Sequence, residues 1–74
     1  MSPEKLAYMA NQIAKFFAHQ GEDKAVAAVA DHLVKFWDPR MRMAIFAYLD
    51  KGGGGLDPLA LKAVLGLREA ASSH

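Results

Sequence analysis

The sequence predicts an all-α fold, a small bundle of four short helices. Apolar residues recur at helical spacing in four segments, and no segment alternates apolar and polar residues at every second position, as a half-buried strand would. Three of the segments begin with a small polar residue followed by proline, a pair typical of a helix start. These pairs are Ser2-Pro3, Asp38-Pro39 and Asp57-Pro58. We expect residues 1–70 to form a single helical domain that contains a glycine-rich linker at 52–57, and residues 71–74 to fray.

The first two helices are delimited by cap and stop residues. Helix 1 is expected over about residues 3–19, with Ser2 as its N-cap and Gly21 as its stop signal. Its polar side carries Asn11, Gln12 and Lys15, and its core-facing stripe consists of Leu6, Met9, Ala10, Ile13, Phe16 and Phe17. Helix 2 is expected over about residues 24–36, with Asp23 as its N-cap and a stripe of Val26, Val29, Ala30 and Leu33.

The other two helices are separated by a run of glycines. Helix 3 is expected over about residues 39–51, with a main stripe of Met41, Ala44, Ile45, Tyr48 and Leu49. The run Gly52 to Gly55 predicts a flexible connection. It does not predict a phosphate loop, because no Gly-Lys-Ser/Thr follows it and no strand precedes it. Helix 4 is expected over about residues 58–70, and the linker leaves its placement open.

Composition restricts the functions that the chain can perform alone. A core built from 74 residues is marginally stable unless a metal, a disulfide or a partner completes it. The absence of cysteine removes disulfides, iron–sulfur ligation and a thiol nucleophile, and a net charge of +1 disfavours electrostatic binding to nucleic acid or membrane. The N-terminus lacks a secretory pattern and no apolar stretch is long enough to span a bilayer, so we expect a soluble cytoplasmic protein.

Helices 3 and 4 carry more apolar residues than one small core requires. In helix 3, Met43 and Phe46 lie off the main stripe, and in helix 4 the apolar residues surround most of the helix. A helix that is apolar all round favours burial all round. Trp37 is expected at the junction of helices 2 and 3, or as a half-exposed interface anchor. The surplus predicts a partner-facing surface formed by Trp37, Met43, Phe46, Leu61 and Val64; the alternative is that these residues fill the far side of the core.

Two arginines occupy the first turn of helix 3. Arg40 and Arg42 lie near the positive end of the helix dipole, where a cation is disfavoured by roughly 0.3–1 kcal/mol. Together with Lys35, one turn upstream, they predict a site for an anionic group such as a carboxylate or phosphate at the free backbone N–H groups. The alternative is that both arginines pair with nearby Asp or Glu and are solvated.

Other combinations of residues favour structural roles. Three histidines without cysteine are too few and badly spaced for a metal site, and His32 is expected at a helix edge. Asp31 and Asp38 could be imagined as an acid–base pair, but a helix cap is the favoured role of Asp38. Helix 3 could also serve as a recognition helix for DNA. Between residues 43 and 49, however, only the Tyr48 hydroxyl could read base edges, so DNA binding ranks third.

Five runs of residues carry a resemblance to a known family. The most specific is Phe-Trp-Asp-Pro-Arg-Met-Arg at 36–42, supported by Tyr-Met-Ala-Asn-Gln-Ile-Ala at 8–14; the others lie at 16–17, 30–33 and 55–59. In that order and spacing they resemble the delta subunit of cytosolic NAD-dependent, molybdenum-containing formate dehydrogenases. The resemblance covers about residues 2–68.

The resemblance implies a non-catalytic accessory subunit without a cofactor of its own. Its partners would be a large catalytic subunit, with bis-(molybdopterin guanine dinucleotide) and iron–sulfur clusters, and smaller electron-transfer subunits with FMN and an NAD site. The complex would oxidise formate to carbon dioxide, and the delta subunit would act in assembly, stabilisation or molybdenum-cofactor maturation. The anionic group expected at Arg40 and Arg42 would then include the guanine nucleotide of the cofactor. The alternatives are a stand-alone helical interaction module or a homodimer of the isolated chain.

Overall fold

A computed structural model describes residues 2–72, which form four α-helices. The helices are α1 (Pro3–Phe17), α2 (Glu22–Phe36), α3 (Pro39–Asp50) and α4 (Pro58–Ser72), and a 3-10 turn, Ala18–Gln20, follows α1. Residues 2–72 contain no strand, and the all-α prediction is confirmed. Of residues 71–74, which are predicted to fray, Ser73 and His74 lie outside the described residues. No helix within 2–72 combines the length and the apolarity that crossing a membrane requires.

Side-chain caps begin two of the helices as predicted. The hydroxyl of Ser2 accepts a hydrogen bond from the backbone N–H of Lys5 at 3.2 Å, and Asp38 Oδ1 accepts one from Met41 at 3.0 Å. Helix α2 begins differently, because its N-cap is Gly21, whose φ of +91° suits glycine. The prediction that Asp23 caps this helix is therefore wrong. Asp23 lies inside the first turn, where a carboxylate still opposes the positive end of the helix.

The core is built largely from small side chains. Alanine supplies half of the buried hydrophobic residues within 2–72, and on α1 the buried residues are Leu6, Ala7, Ala10 and Ala14. Small residues at a contact let helix axes approach closely. As a result, the core-facing stripe predicted for helix 1 is partly wrong: Phe16 is 72% exposed, and Met9, Ile13 and Phe17 pack only at the edge of the core.

Two residues predicted to face a partner are buried instead. Trp37 is 5% exposed at the junction of α2 and α3, where it joins the core cluster, and Val64 is fully buried. The burial of Val64 follows from the position of α4, which packs most extensively against α2 and also contacts α1 and α3. The prediction that Trp37 lies at the junction of helices 2 and 3 is confirmed, and neither Trp37 nor Val64 is exposed as a partner-facing surface requires.

The glycine-rich segment is tied to the helices around it. Asn11 on α1 donates a hydrogen bond from Nδ2 to the carbonyl oxygen of Gly55 at 2.8 Å and accepts one at Oδ1 from the N–H of Asp57, also at 2.8 Å. The hydroxyl of Tyr48 on α3 donates to the carbonyl oxygen of Gly54. The segment is therefore hydrogen-bonded to α1 and α3, and these bonds help to place α4, whose position the sequence leaves open.

Two exposed ion pairs also join α4 to the rest of the bundle. Lys62 Nζ lies 2.6 Å from Glu22 Oε2 at the start of α2, and Arg68 Nη1 lies 2.6 Å from Asp50 Oδ1 at the end of α3. Exposed pairs of this kind contribute little stability, and here their main consequence is that both carboxylates are neutralised within the chain.

Candidate docking groove

Arg42 is directed towards helix α2. Its Nη1 atom donates hydrogen bonds to the carbonyl oxygens of Val34 at 3.2 Å and Leu33 at 3.4 Å, and to that of Trp37. These carbonyls belong to the last turn of α2 and to its C-cap, where the helix dipole is negative; the Leu33 oxygen also accepts a hydrogen bond from the N–H of Trp37. The unfavourable position of Arg42 at the start of α3 is thus offset by a favourable position at the end of α2. Neither alternative drawn from the sequence anticipated this role.

Lys35 and Arg40 lie apart from that contact. Lys35 Nζ is 3.0 Å from Asp31 Oδ2, one turn earlier on the same helix, and both side chains are exposed. Arg40 is exposed, and no other residue within 2–72 forms an ion pair with it. Within the chain, Lys35 and Arg42 are thus engaged by other groups while Arg40 is exposed, and the anion site at these three residues stays a prediction.

The rest of the predicted partner surface is only partly available. Met43 is 65% exposed, whereas Phe46 packs partly against the core and Leu61 is half-buried. Of the five residues predicted for this surface, Met43 alone is exposed in the described structure. An extended apolar surface has to be sought elsewhere on the bundle.

A concave apolar surface lies between α1 and α2. One depression of about 420 Å³ adjoins a second of about 240 Å³, and the two share Gln12, Ile13 and His32. The first is also lined by Met9, Phe36, Trp37 and Met41, and the second by Phe16 and Phe17. We call this continuous surface the α1–α2 groove.

Four rings form a row along this groove. The ring centroids of Phe16 and Phe17 are 5.1 Å apart, those of Phe17 and His32 6.3 Å, and those of His32 and Phe36 4.6 Å. Phe16 is 72% exposed and Phe36 is 71% exposed. Contiguous exposed apolar surface of this kind marks an interaction site more often than isolated apolar residues do.

A third depression extends the groove towards the start of α3. It has a volume of about 190 Å³, shares Met41 with the groove, and is lined in addition by Leu6, Asp38, Arg40 and Ala44. Arg40 is the only cationic side chain in this lining. The apolar surface therefore continues into an end at which a guanidinium is exposed.

The lining of the groove provides groups that can bind an apolar surface. Its lining provides aromatic rings, thioethers, the Gln12 amide and the His32 imidazole, and it contains no carboxylate, hydroxyl or thiol. Within residues 2–72, no group of three or more His, Asp or Glu side chains is arranged to hold a metal ion. The arrangement can bind apolar side chains, with one amide and one imidazole available for orientation.

Sequence reasoning missed most of this groove. Phe16 was assigned to the core, Phe36 was not singled out, and His32 was placed at a helix edge although it lies half-buried between two aromatic rings. A signal was present on α1, where Ala7, Ala10 and Ala14 recur at helical spacing beside the aromatic stripe. A stripe of alanines competes for the core, because it lets a neighbouring helix approach more closely.

Comparison with known proteins agrees with the resemblance carried by the sequence. Residues 5–64 match the family described as NADH-dependent formate dehydrogenase delta subunit FdsD. No curated protein and no solved structure gave a significant match. The matched range contains the residues that line the α1–α2 groove and runs into the first half of α4. The chain belongs to the family of NADH-dependent formate dehydrogenase delta subunits.

Proposed function

We propose that this chain is a non-catalytic accessory subunit that assists assembly, stabilisation or molybdenum-cofactor maturation of an NAD-dependent formate dehydrogenase by binding its large catalytic subunit. Family membership supports the association with the enzyme. The observation that carries the contact role is the row of rings along the α1–α2 groove, with Phe16 and Phe36 each more than two-thirds exposed.

The two exposed rings are sufficient to make a partner contact energetically significant. Complete burial of a large apolar side chain contributes about 1.5–3 kcal/mol. Loss of one such ring from an interface therefore corresponds to a complex weakened by roughly 10- to 100-fold. Phe16 and Phe36 lie on different helices, so a partner that covers both also clamps α1 against α2. Binding would stabilise the small bundle as well as the complex.

In this proposal the cofactors belong to the other subunits. Bis-(molybdopterin guanine dinucleotide) and the iron–sulfur clusters are assigned to the large subunit, FMN and NAD to the electron-transfer subunits, and the whole complex to the cytoplasm, as the resemblance implies. A guanine-nucleotide site on this chain is not included, because Arg42 is hydrogen-bonded to α2 and Lys35 is paired with Asp31.

Co-expression with the enzyme tests the proposal. The large subunit is tagged and purified with the wild-type chain, with the double variant Phe16→Gln/Phe36→Gln, or with the control Val34→Gln. Val34 is 52% exposed and does not line the groove. The wild-type chain and the control are expected to co-purify and to support molybdenum content and formate-dependent NAD reduction, while the double variant fails in both.

Two results would contradict the proposed association with the large subunit, and a third would contradict the non-catalytic assignment. One is a wild-type chain that neither co-purifies with the large subunit nor alters its metal content and activity. The other is an isolated chain that forms a stable homodimer by sedimentation and remains dimeric when the large subunit is added, which would favour the homodimer alternative. Turnover of formate by the chain alone would contradict the non-catalytic assignment.

A further inference from the structure

From the shape and charge of the α1–α2 groove, we infer that it receives an amphipathic helix of the partner protein, about three turns long, with acidic residues at the end that lies beside Arg40. The inference rests on the proposed function and specifies which kind of partner segment makes the contact.

The walls of the groove favour a helix over an extended segment. Both walls are α-helices, whose interior backbone groups are already hydrogen-bonded, and residues 2–72 present no strand edge. An extended peptide lying on these walls would bury backbone N–H and C=O groups without partners. A helix satisfies its own backbone and presents apolar side chains at i, i+3, i+4 and i+7 to such a groove.

The length of the groove sets the length of the bound segment. On α1 the lining extends from Leu6, in the third depression, to Phe17. The eleven residue steps between them rise about 16.5 Å, which corresponds to about three turns of a partner helix lying alongside. Three turns supply three or four apolar anchors, one for each of the adjoining depressions and one for the exposed rings.

Charge gives the segment a direction. The end formed by the third depression exposes Arg40, and Lys5 shares the face of α1 that carries Met9, one turn away. The carboxylate at this end belongs to Asp38, and it accepts a hydrogen bond from the backbone of Met41 as the cap of α3. The opposite end is formed by Phe16 and Phe17 and has no charged lining residue. Acidic residues are therefore favoured at one end of the bound helix only.

A second copy of this chain is a poorer occupant than a different protein. A second copy would bring another Arg40 and another Lys5 to the interface. Three of its eight carboxylates, at Glu22, Asp31 and Asp50, are already held in ion pairs with its own lysines and arginine, and Glu4, the acidic residue of α1, is followed directly by the cation of Lys5. A partner helix whose acidic residues are not neutralised in this way complements the groove better.

Photo-crosslinking of the complex identifies the occupant. The chain carries p-benzoyl-L-phenylalanine in place of Phe36, or of Val34 as control, and is irradiated in the purified complex with the large subunit. The expected product joins position 36 to a segment of the large subunit that has helical apolar spacing and Asp or Glu at one end. A crosslink to a second copy of this chain, or to a segment without that pattern, overturns the inference.

Charge exchange then tests the orientation. Arg40→Glu is expected to weaken the complex by roughly 3- to 10-fold at low salt, with a smaller effect at high salt, whereas Lys15→Glu on α1, outside the groove lining, leaves it unchanged. Replacing the acidic residue of the crosslinked segment by Arg should restore binding to Arg40→Glu. If Phe36→Gln weakens the complex but Arg40→Glu binds as tightly as wild type, the groove inference fails and the proposed function stands. If the wild-type complex does not form, the proposed function itself fails.

Discussion

Replacement of Arg42 by methionine should destabilise the bundle although it removes a cation from the wrong end of α3. Methionine keeps the apolar stem of the side chain and removes the guanidinium that caps the end of α2. Charge-assisted hydrogen bonds contribute about 1.5–3 kcal/mol. A cation at a partly buried helix C-terminus contributes up to about 2 kcal/mol, and because both figures describe the same contact they are not added. Because Arg42 is half-buried, water can partly replace it, and relief at the start of α3 returns about 0.5 kcal/mol. We expect a net loss of about 1–1.5 kcal/mol.

Arg40→Met is the matched control for this experiment. Arg40 lies in the same turn of α3, carries the same charge and is exposed without an ion pair to any residue within 2–72. Its replacement relieves the same unfavourable interaction with the dipole and removes no bond that stabilises α2. The free energy of unfolding should therefore change by less than about 0.5 kcal/mol.

Urea unfolding followed by far-ultraviolet circular dichroism measures both variants. With a slope of about 1 kcal/mol per molar urea, as expected for a small domain, Arg42→Met should lower the midpoint by about 1–1.5 M. Arg40→Met should unfold close to the wild-type midpoint. Amide hydrogen exchange should also show lost protection in the last turn of α2 for Arg42→Met alone. Equal midpoints for the two variants would refute the role assigned to Arg42.

Three further variants examine the core and the linker by the same measurement. Asn11→Ala removes both hydrogen bonds to the linker and should cost about 1–3 kcal/mol, whereas Gln12→Ala, next to it, should cost less than about 0.5 kcal/mol; similar losses would show that the linker bonds contribute nothing. Gly53→Ala should cost about 1–2 kcal/mol because the backbone there has φ +61° and the new Cβ would lie 3.3 Å from a leucine methyl, while Gly54→Ala, in open space and without positive φ, should be neutral or slightly stabilising. A stabilised Gly53→Ala would exclude that backbone conformation. Ile45→Ala, at a fully buried position, should cost about 2–5 kcal/mol, and a loss below 1 kcal/mol would mean that α3 is not docked as described.

The start of a helix is the part of this fold that is easiest to predict from sequence, because its determinants are local. Ser2 and Asp38 each cap a helix through a backbone N–H three residues later, and proline at the first helical position needs no neighbour in space. The start of α2 lacks these signals. There the preceding Gly21 adopts positive φ, and the nearby Asp23 was mistaken for a cap.

The orientation of α1 was harder to predict because two stripes on this helix compete for the core. A comparison of apolar side-chain area favours the stripe that contains Phe16, since aromatic rings have the greatest apolar area. Close packing against the other three helices favours the neighbouring stripe of Ala7, Ala10 and Ala14. The second stripe faces the core in the structure, and the aromatic residues form the edge of the groove. Periodicity locates both stripes but does not rank them, because the ranking depends on how closely the other helices approach.

The different roles of Arg40 and Arg42 were hard to predict for a related reason. The dipole of α3 makes Arg40 and Arg42 equally unfavourable, and sequence offers no means to tell them apart. What separates them is the end of α2, which the turn at Trp37 brings beside Arg42 and not beside Arg40. A helix end contributed by another element is a tertiary feature. Its effect on a charge can be predicted only after the angle between the two helices is known.

The residues that carry the family resemblance divide accordingly into two classes. Trp37 lies in the core, Asp38 caps α3, and Arg42 donates hydrogen bonds to the end of α2. Asn11 joins the linker to α1 by hydrogen bonds. Substitutions at these positions would unfold or loosen the bundle, and a resulting loss of binding would say nothing about where a partner docks. Phe36 belongs to the same signature run, yet its side chain is 71% exposed and is not part of the core. Because Phe36 is an exposed ring next to residues with structural roles, it is the position at which binding and folding can be separated by experiment.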